Sequence, residues 1–98
     1  MNKEVIAIDQ DKLGKQGVRA AKNGDVEVWS KPLADGGYAV GLFNRGTAEA
    51  PVTAKWSDLG ITGNRTVRDL WKHTDLGKKS GEFTATVPTH GVVMVKIK

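Results

Sequence analysis

Tyr38-Ala39-Val40-Gly41-Leu42-Phe43-Asn44 decides the fold. An extended chain sends alternate side chains to opposite faces, so Val40 and Leu42 share one side while Ala39, Gly41 and Phe43 share the other. Both sets are apolar, which marks a strand covered on both sides near the middle of a sheet. Upstream, residues 18–21 and 26–31 read as strands joined through Lys22-Asn23-Gly24-Asp25, with Asn23-Gly24 as the pair that accepts the positive φ values of a type I′ hairpin. Leu33-Ala34-Asp35-Gly36-Gly37 then reverses the chain into the central strand.

Downstream, residues 51–56 alternate Val52, Ala54 and Trp56 against Thr53 and Lys55, with Pro51 tolerated at the start. Residues 57–64 hold two glycines and read as a crossing between sheets; residues 66–71 resume extended structure, and 72–81 read as a loop. Residues 82–87 alternate Phe83, Ala85 and Val87 against Thr84 and Thr86. After the turn Pro88-Thr89-His90-Gly91, residues 92–97 set Val92 and Met94 opposite Val93, Val95 and Ile97. With 12 glycines and short runs rich in Val and Thr, the pattern predicts an all-β fold, an antiparallel Greek-key β-sandwich of about eight strands.

Ninety-eight residues make one domain. A chain of this size loses nearly two-thirds of its unfolded surface on folding, from roughly 15,000 to roughly 5,400 Å², enough to fold without disulfide or metal staples. Hydrophobic residues at 39% and charged residues at 27% argue against both disorder and a membrane-embedded chain. The absence of Cys removes disulfides, thiolate metal sites and cysteine nucleophiles. The net charge of +4 comes from basic residues interleaved with acids, Lys78-Lys79 being the only adjacent pair, so it solvates the surface and does not form a nucleic-acid patch.

Motifs that carry chemistry are weak. Asp9-Gln10-Asp11 followed by Gly14 matches the first half of a calcium loop, but Leu13 and Ala20 fall where carboxylates are required, so it reads as a turn. His73 and His90 lack metal-ligand spacing, and Ser30, Ser57 and Ser80 lack a nucleophile elbow. Asp69 and Asp75 lie near aromatic residues, yet nothing in their spacing fixes the geometry that glycoside hydrolysis needs, and turn and strand-edge roles account for them. No catalytic residue, metal site or cofactor site emerges.

The tryptophans say more. Trp56 shares a face with Val52 and Ala54 and belongs to the core. Trp29 shares one with Glu27 and Lys31, opposite Val26 and Val28, so it either forms a stacking platform for sugar or covers a surface where another domain packs. Trp71 is expected to be partly buried. Asn64-Arg65-Thr66 is a glycosylation sequon, an acceptor only in a chain secreted through a eukaryotic pathway.

Several stretches together carry a family resemblance: Asn2-Lys3-Glu4-Val5-Ile6-Ala7-Ile8-Asp9-Gln10-Asp11 with Leu13-Gly14 and Gln16-Gly17, Glu27-Val28-Trp29, Lys31-Pro32-Leu33, Ala39-Val40-Gly41-Leu42-Phe43-Asn44-Arg45, Val67-Arg68-Asp69-Leu70-Trp71, and Val87-Pro88-Thr89-His90-Gly91-Val92. Over almost its whole length the chain resembles the C-terminal β-sandwich of family 27 glycoside hydrolases, the α-galactosidase or melibiase family. Lys12 departs from the pattern, standing where the family has Pro. The resemblance implies that residues 1–17 are the end of a barrel helix plus a linker, and that residues 18–98 are the sandwich. Family members, commonly secreted, are retaining enzymes with two catalytic aspartates on a (β/α)₈ barrel, the nucleophile in a Lys-Tyr-Asp run. Tyr38, the only tyrosine, lies between Gly37 and Ala39, so no catalytic residue carries over. The expected function is therefore that of a non-catalytic domain, with no cofactor and no metal. It would pack on and stabilise a barrel that these 98 residues do not contain, with Trp29, Trp71 and Leu33 as contacts. The alternative is a carbohydrate-binding module that holds galactosides weakly through exposed Trp; neither reading involves nucleic acid or a membrane.

Overall fold

The computed structural model describes residues 18–98 as a succession of β1 (Val18–Asn23), β2 (Val26–Pro32), β3 (Tyr38–Asn44), β4 (Ala50–Lys55), the single helical turn α1 (Trp56–Leu59), β5 (Asn64–Asp69), β6 (Thr74–Ser80), β7 (Glu82–Val87) and β8 (Gly91–Ile97). The segment 1–17, expected to be a helix end and linker, and the Asp9-Gln10-Asp11 turn lie outside the described residues. Two sheets form, one of six strands in the order β1-β2-β3-β8-β5-β6 and one of two strands, β4-β7. All pairings are antiparallel. The chain changes sheets after β3, β4, β6 and β7, and these are the Greek-key crossings the sequence predicts.

The alternation along each strand makes the core. From the large sheet, Val28, Val40, Leu42, Val67, Val95 and Ile97 point inward; from the small sheet, Val52, Ala54, Phe83 and Val87 meet them, and Trp56 and Ile61 fill the end. β4 and β7 are apolar on one side only. Their outer side carries Thr53 and Thr84, whose hydroxyls hydrogen-bond to each other at 2.7 Å, and this sheet needs no further cover.

Three sequence expectations are corrected. The β1–β2 hairpin closes on Gly24-Asp25, with Asn23 and Val26 paired across it, and Gly24 has φ +60°. Gly as the first of two loop residues is the type II′ pattern, so Asn23 belongs to the strand. Trp56 does not extend β4; it opens α1, which ends at Gly60 with φ +73°. Its ring still reaches the core, 2% exposed, with Nε1 donating to the Gly63 carbonyl at 3.0 Å. Residues 74–80, expected as loop, form β6. Thr74-Asp75-Leu76-Gly77-Lys78-Lys79-Ser80 offers one apolar residue and no alternation. Backbone pairing to β5 holds it at the sheet edge, where exposed lysines guard against further pairing.

Two polar residues tie distant parts together. Asn44, 2% exposed at the end of β3, donates from Nδ2 to the carbonyls of Ala48 (2.8 Å) and Val87 (3.0 Å) and accepts from the Gly46 N–H (2.8 Å). It thereby joins the large sheet to β7 and satisfies the loop between β3 and β4. Asp35, in the β2–β3 turn, accepts the Gly37 N–H at 2.9 Å and pairs with Lys96 and, at 3.7 Å, with Lys98. The Lys96 hydrogen bond, then the Gly37 N–H, lowers its carboxyl to about 2.

Replacing Asn44 with Ala strands the buried Val87 carbonyl and Gly46 N–H, so Asn44→Ala is expected to cost on the order of 3 kcal/mol, read as a lower urea midpoint at unchanged slope. Thr53→Ala, on the outer side of β4, is expected to shift it little. Because folding depresses the Asp35 pKa, its contribution is complete above the unfolded value of about 3.9 and is lost as pH falls through about 2. The side chain is 39% exposed, so that contribution stays below about 1 kcal/mol. Thermal melts of Asp35→Asn and the parent chain should differ at pH 7 and converge near pH 2.

Candidate functional site

The positions of β2, β3 and β8 that do not face the core lie together on the other side of the six-stranded sheet. Register puts Arg19, Trp29, Gly41 and Met94 in one row across β1, β2, β3 and β8. A second row holds Lys22, Glu27, Phe43 and Val92, and a third Lys31, Ala39, Lys96 and Arg68. Trp29, Phe43, Val92 and Met94 are each half-buried. Among the described residues, no strand or helix is layered over them.

Local chemistry flattens and fixes this surface. A Cβ on Gly41 would stand 2.8 Å from Cε1 of Phe43, so the phenyl ring lies over the glycine and closes the gap beside Trp29. The Arg45 guanidinium sits 5.8 Å from the centre of that ring, a cation–π distance. Glu27, 7% exposed, organises the neighbours. Its Oε1 accepts the Trp29 indole N–H at 3.0 Å and lies 3.9 Å from Arg19, while Oε2 receives Arg45 Nε at 2.9 Å. The indole hydrogen bond and the two guanidiniums hold its carboxyl below the usual glutamate range. The carboxylate is thus sunk among its partners while the arginines, 49% and 61% exposed, project outward.

At one end of the face, Leu33, Ala39 and Leu70 form a small buried cluster against Met94. Leu33 is 7% exposed, so its apolar surface is already spent within the domain and leaves little for a partner. Trp71 sits beside this cluster in the β5–β6 turn, 49% exposed, rather than in a strand. Asp69 Oδ1 caps that turn by accepting the Trp71 and Lys72 N–H groups, each at 2.9 Å. Asp75 pairs with Arg68 at 3.0 Å on the surface. The two aspartates therefore serve as turn cap and surface ion pair. His73 and His90 occupy separate turns with positive φ, and no group of three metal-ligating side chains gathers among the described residues. Asn64 is exposed at the start of β5.

The sequence places Trp29 on one face with Glu27 and Lys31 but does not show that Arg19 and Arg45 join them. The Glu27–Trp29 spacing of two was a visible signal, since it places both side chains on one face; Arg45 joins them only through the register of β3 against β2.

Residues 23–97 match the family described as the alpha galactosidase C-terminal beta sandwich domain. An α-galactosidase of Cyamopsis tetragonoloba is 47% identical over 95 residues, which take in 95% of this chain and 23% of the relative. One from Coffea arabica is 46% identical over 91 residues, covering 91% of this chain and 24% of the relative. Of solved structures, α-galactosidase I from Mortierella vinacea has a TM-score of 0.95 at 38% identity, covering 99% of this chain and 26% of that one. A GH27 β-L-arabinopyranosidase from Geobacillus stearothermophilus has a TM-score of 0.92 at 28% identity, covering 100% and 22%. The chain spans about a quarter of the length of these relatives. The carbohydrate-binding alternative is not favoured, because the match is to the sandwich domain of α-galactosidases. Fold, strand order and matched residues together place the chain in the family of α-galactosidase C-terminal β-sandwich domains carried by GH27 glycoside hydrolases.

Proposed function

We propose that the 98 residues serve an α-galactosidase-like glycosidase as its non-catalytic sandwich domain, packing on and stabilising a (β/α)₈ catalytic barrel, and that they hydrolyse nothing alone. The observation that carries this reading is a family match over residues 23–97, in a chain that covers 23% of the Cyamopsis tetragonoloba α-galactosidase. In this division residues 1–17 lead in from the catalytic portion and residues 18–98 form the sandwich, with Trp29 and Trp71 as contacts and Leu33 supporting them from within.

The carboxyl chemistry agrees. Retaining hydrolysis uses two carboxyls about 5 Å apart, one held protonated by a raised pKa. Glu27 and Asp35 are both shifted downward by cations and N–H donors, the wrong direction for a proton donor. Asp69 and Asp75 are committed to a turn and an ion pair. What the domain offers a catalytic neighbour is a rigid surface that removes apolar area from water.

The test uses the catalytic portion of the Cyamopsis tetragonoloba relative, with this chain fused in place of the 95 residues it matches. The chain alone is expected to give no release from p-nitrophenyl α-galactoside. The fusion should hydrolyse it and survive heating several-fold longer than the catalytic portion alone. Hydrolysis by the chain alone, or equal survival with and without it, contradicts the proposal.

A further inference from the structure

Resting on that reading, we infer that the outer face of the six-stranded sheet, with Trp29, Phe43 and Met94 at its centre, is the surface that receives the catalytic portion of the same polypeptide, and that the surface it receives is apolar in the middle and acidic at the rim.

Size supports the assignment. Six strands about 4.8 Å apart and about seven residues long at about 3.4 Å each present roughly 600 to 700 Å², within the range of contacts between domains of one chain. Composition supports it too. Trp, Phe, Met and Arg are the residue types enriched at the centre of protein interfaces, and the central rows bring together Trp29, Phe43, Met94, Arg19 and Arg45. The opposite surface of the sandwich, on β4 and β7, shows Thr53, Thr84 and Lys55, without a large apolar side chain among them.

Charge specifies the partner. Arg19, Lys22, Lys31, Lys96 and Arg68 fall on outward positions of the face, and Arg45 adjoins it. Against these six cations stand three acids: Glu27, buried beneath Arg19 and Arg45, Asp75, ion-paired with Arg68, and Asp35, which reaches Lys96 from the β2–β3 turn, so the face keeps an excess of positive charge. A docking surface therefore meets cations around an aromatic centre, and an acidic rim complements it. The occupant is the rest of the enzyme because the Cyamopsis tetragonoloba and Mortierella vinacea relatives place about three-quarters of their length outside the matched part. Glu27 acts as a positioning residue: it draws the indole N–H inward, so the ring has no unpaired donor to bury on docking.

The experiment measures heat inactivation of the Cyamopsis fusion in three variants, with the isolated chain melted in parallel. Trp29→Ser is expected to shorten the half-life of the fusion about tenfold or more, the behaviour of a central interface aromatic. Lys22→Glu with Lys31→Glu leaves Arg19, Glu27 and the aromatic centre in place. It should shorten the half-life as well, and should invert its response to added salt, from weakening to strengthening. Thr53→Glu, on the other sheet, should leave it unchanged. If Trp29→Ser lowers the melting temperature of the isolated chain, the charge-reversed pair decides alone. Protection by the unmodified chain that survives both outer-face changes but fails with Thr53→Glu, or that survives all three, overturns this assignment while leaving the proposed function standing. No protection by the unmodified chain overturns the proposed function itself.

Discussion

Strand β3 is apolar on both faces, and everything else in the molecule answers to the need to cover it twice. On the inner face Val40 and Leu42 are sealed by β4 and β7, and no water reaches them. On the outer face Ala39 and Gly41 are also buried, but the cover comes from the same sheet and the turns that leave it: Phe43 lies over Gly41, while Leu33 and Leu70, just beyond β2 and β5, cluster with Ala39. A two-stranded second layer cannot wrap a six-stranded sheet. Among the described residues the inner face has a complete core and the outer face has a single layer of large side chains, so these residues cover one side of the sheet fully and the other side thinly.

Polar groups are spent on holding these two sides in place. Asn44 links the end of the doubly buried strand to β7, and its bonds to the Val87 carbonyl and the Gly46 N–H satisfy backbone groups that would otherwise be buried without a partner. Asp35 pins the turn before β3 to the end of β8 across 61 residues of sequence. Glu27 does the corresponding work on the outer face, where it aligns one indole and two guanidiniums. None of these carboxylates is prepared to give up a proton, and their common chemistry is fixation.

What the sequence discloses depends on how local the cause is. Alternation in 82–87 and 92–97 identifies β7 and β8, and the double-sided apolar run locates the middle of the large sheet, because each follows from the two-residue period of an extended chain. The core place of Trp56 is legible for the same reason, although its backbone turns into α1 once Gly60 supplies a left-handed stop. β6 is silent because an edge strand needs only backbone pairing, and Thr74-Asp75-Leu76-Gly77-Lys78-Lys79-Ser80 has no inward face to betray it. In the β1–β2 hairpin one positive φ suffices, so the turn shifts by a residue onto Gly24-Asp25. Trp29 stands out in sequence as a large apolar residue among charges; its partners Arg19 and Arg45 come from β1 and from beyond β3, brought together by register alone.

The most direct measurement is hydroxyl-radical footprinting of Trp29, Phe43 and Met94, first in the chain alone and then in the fusion to the Cyamopsis tetragonoloba catalytic portion. Trp56, buried in the core, serves as the internal reference. The account predicts that oxidation of Trp29, Phe43 and Met94 falls sharply in the fusion while that of Trp56 stays low in both. Unchanged oxidation of the three outer residues, with protection appearing on β4 and β7 instead, would contradict it.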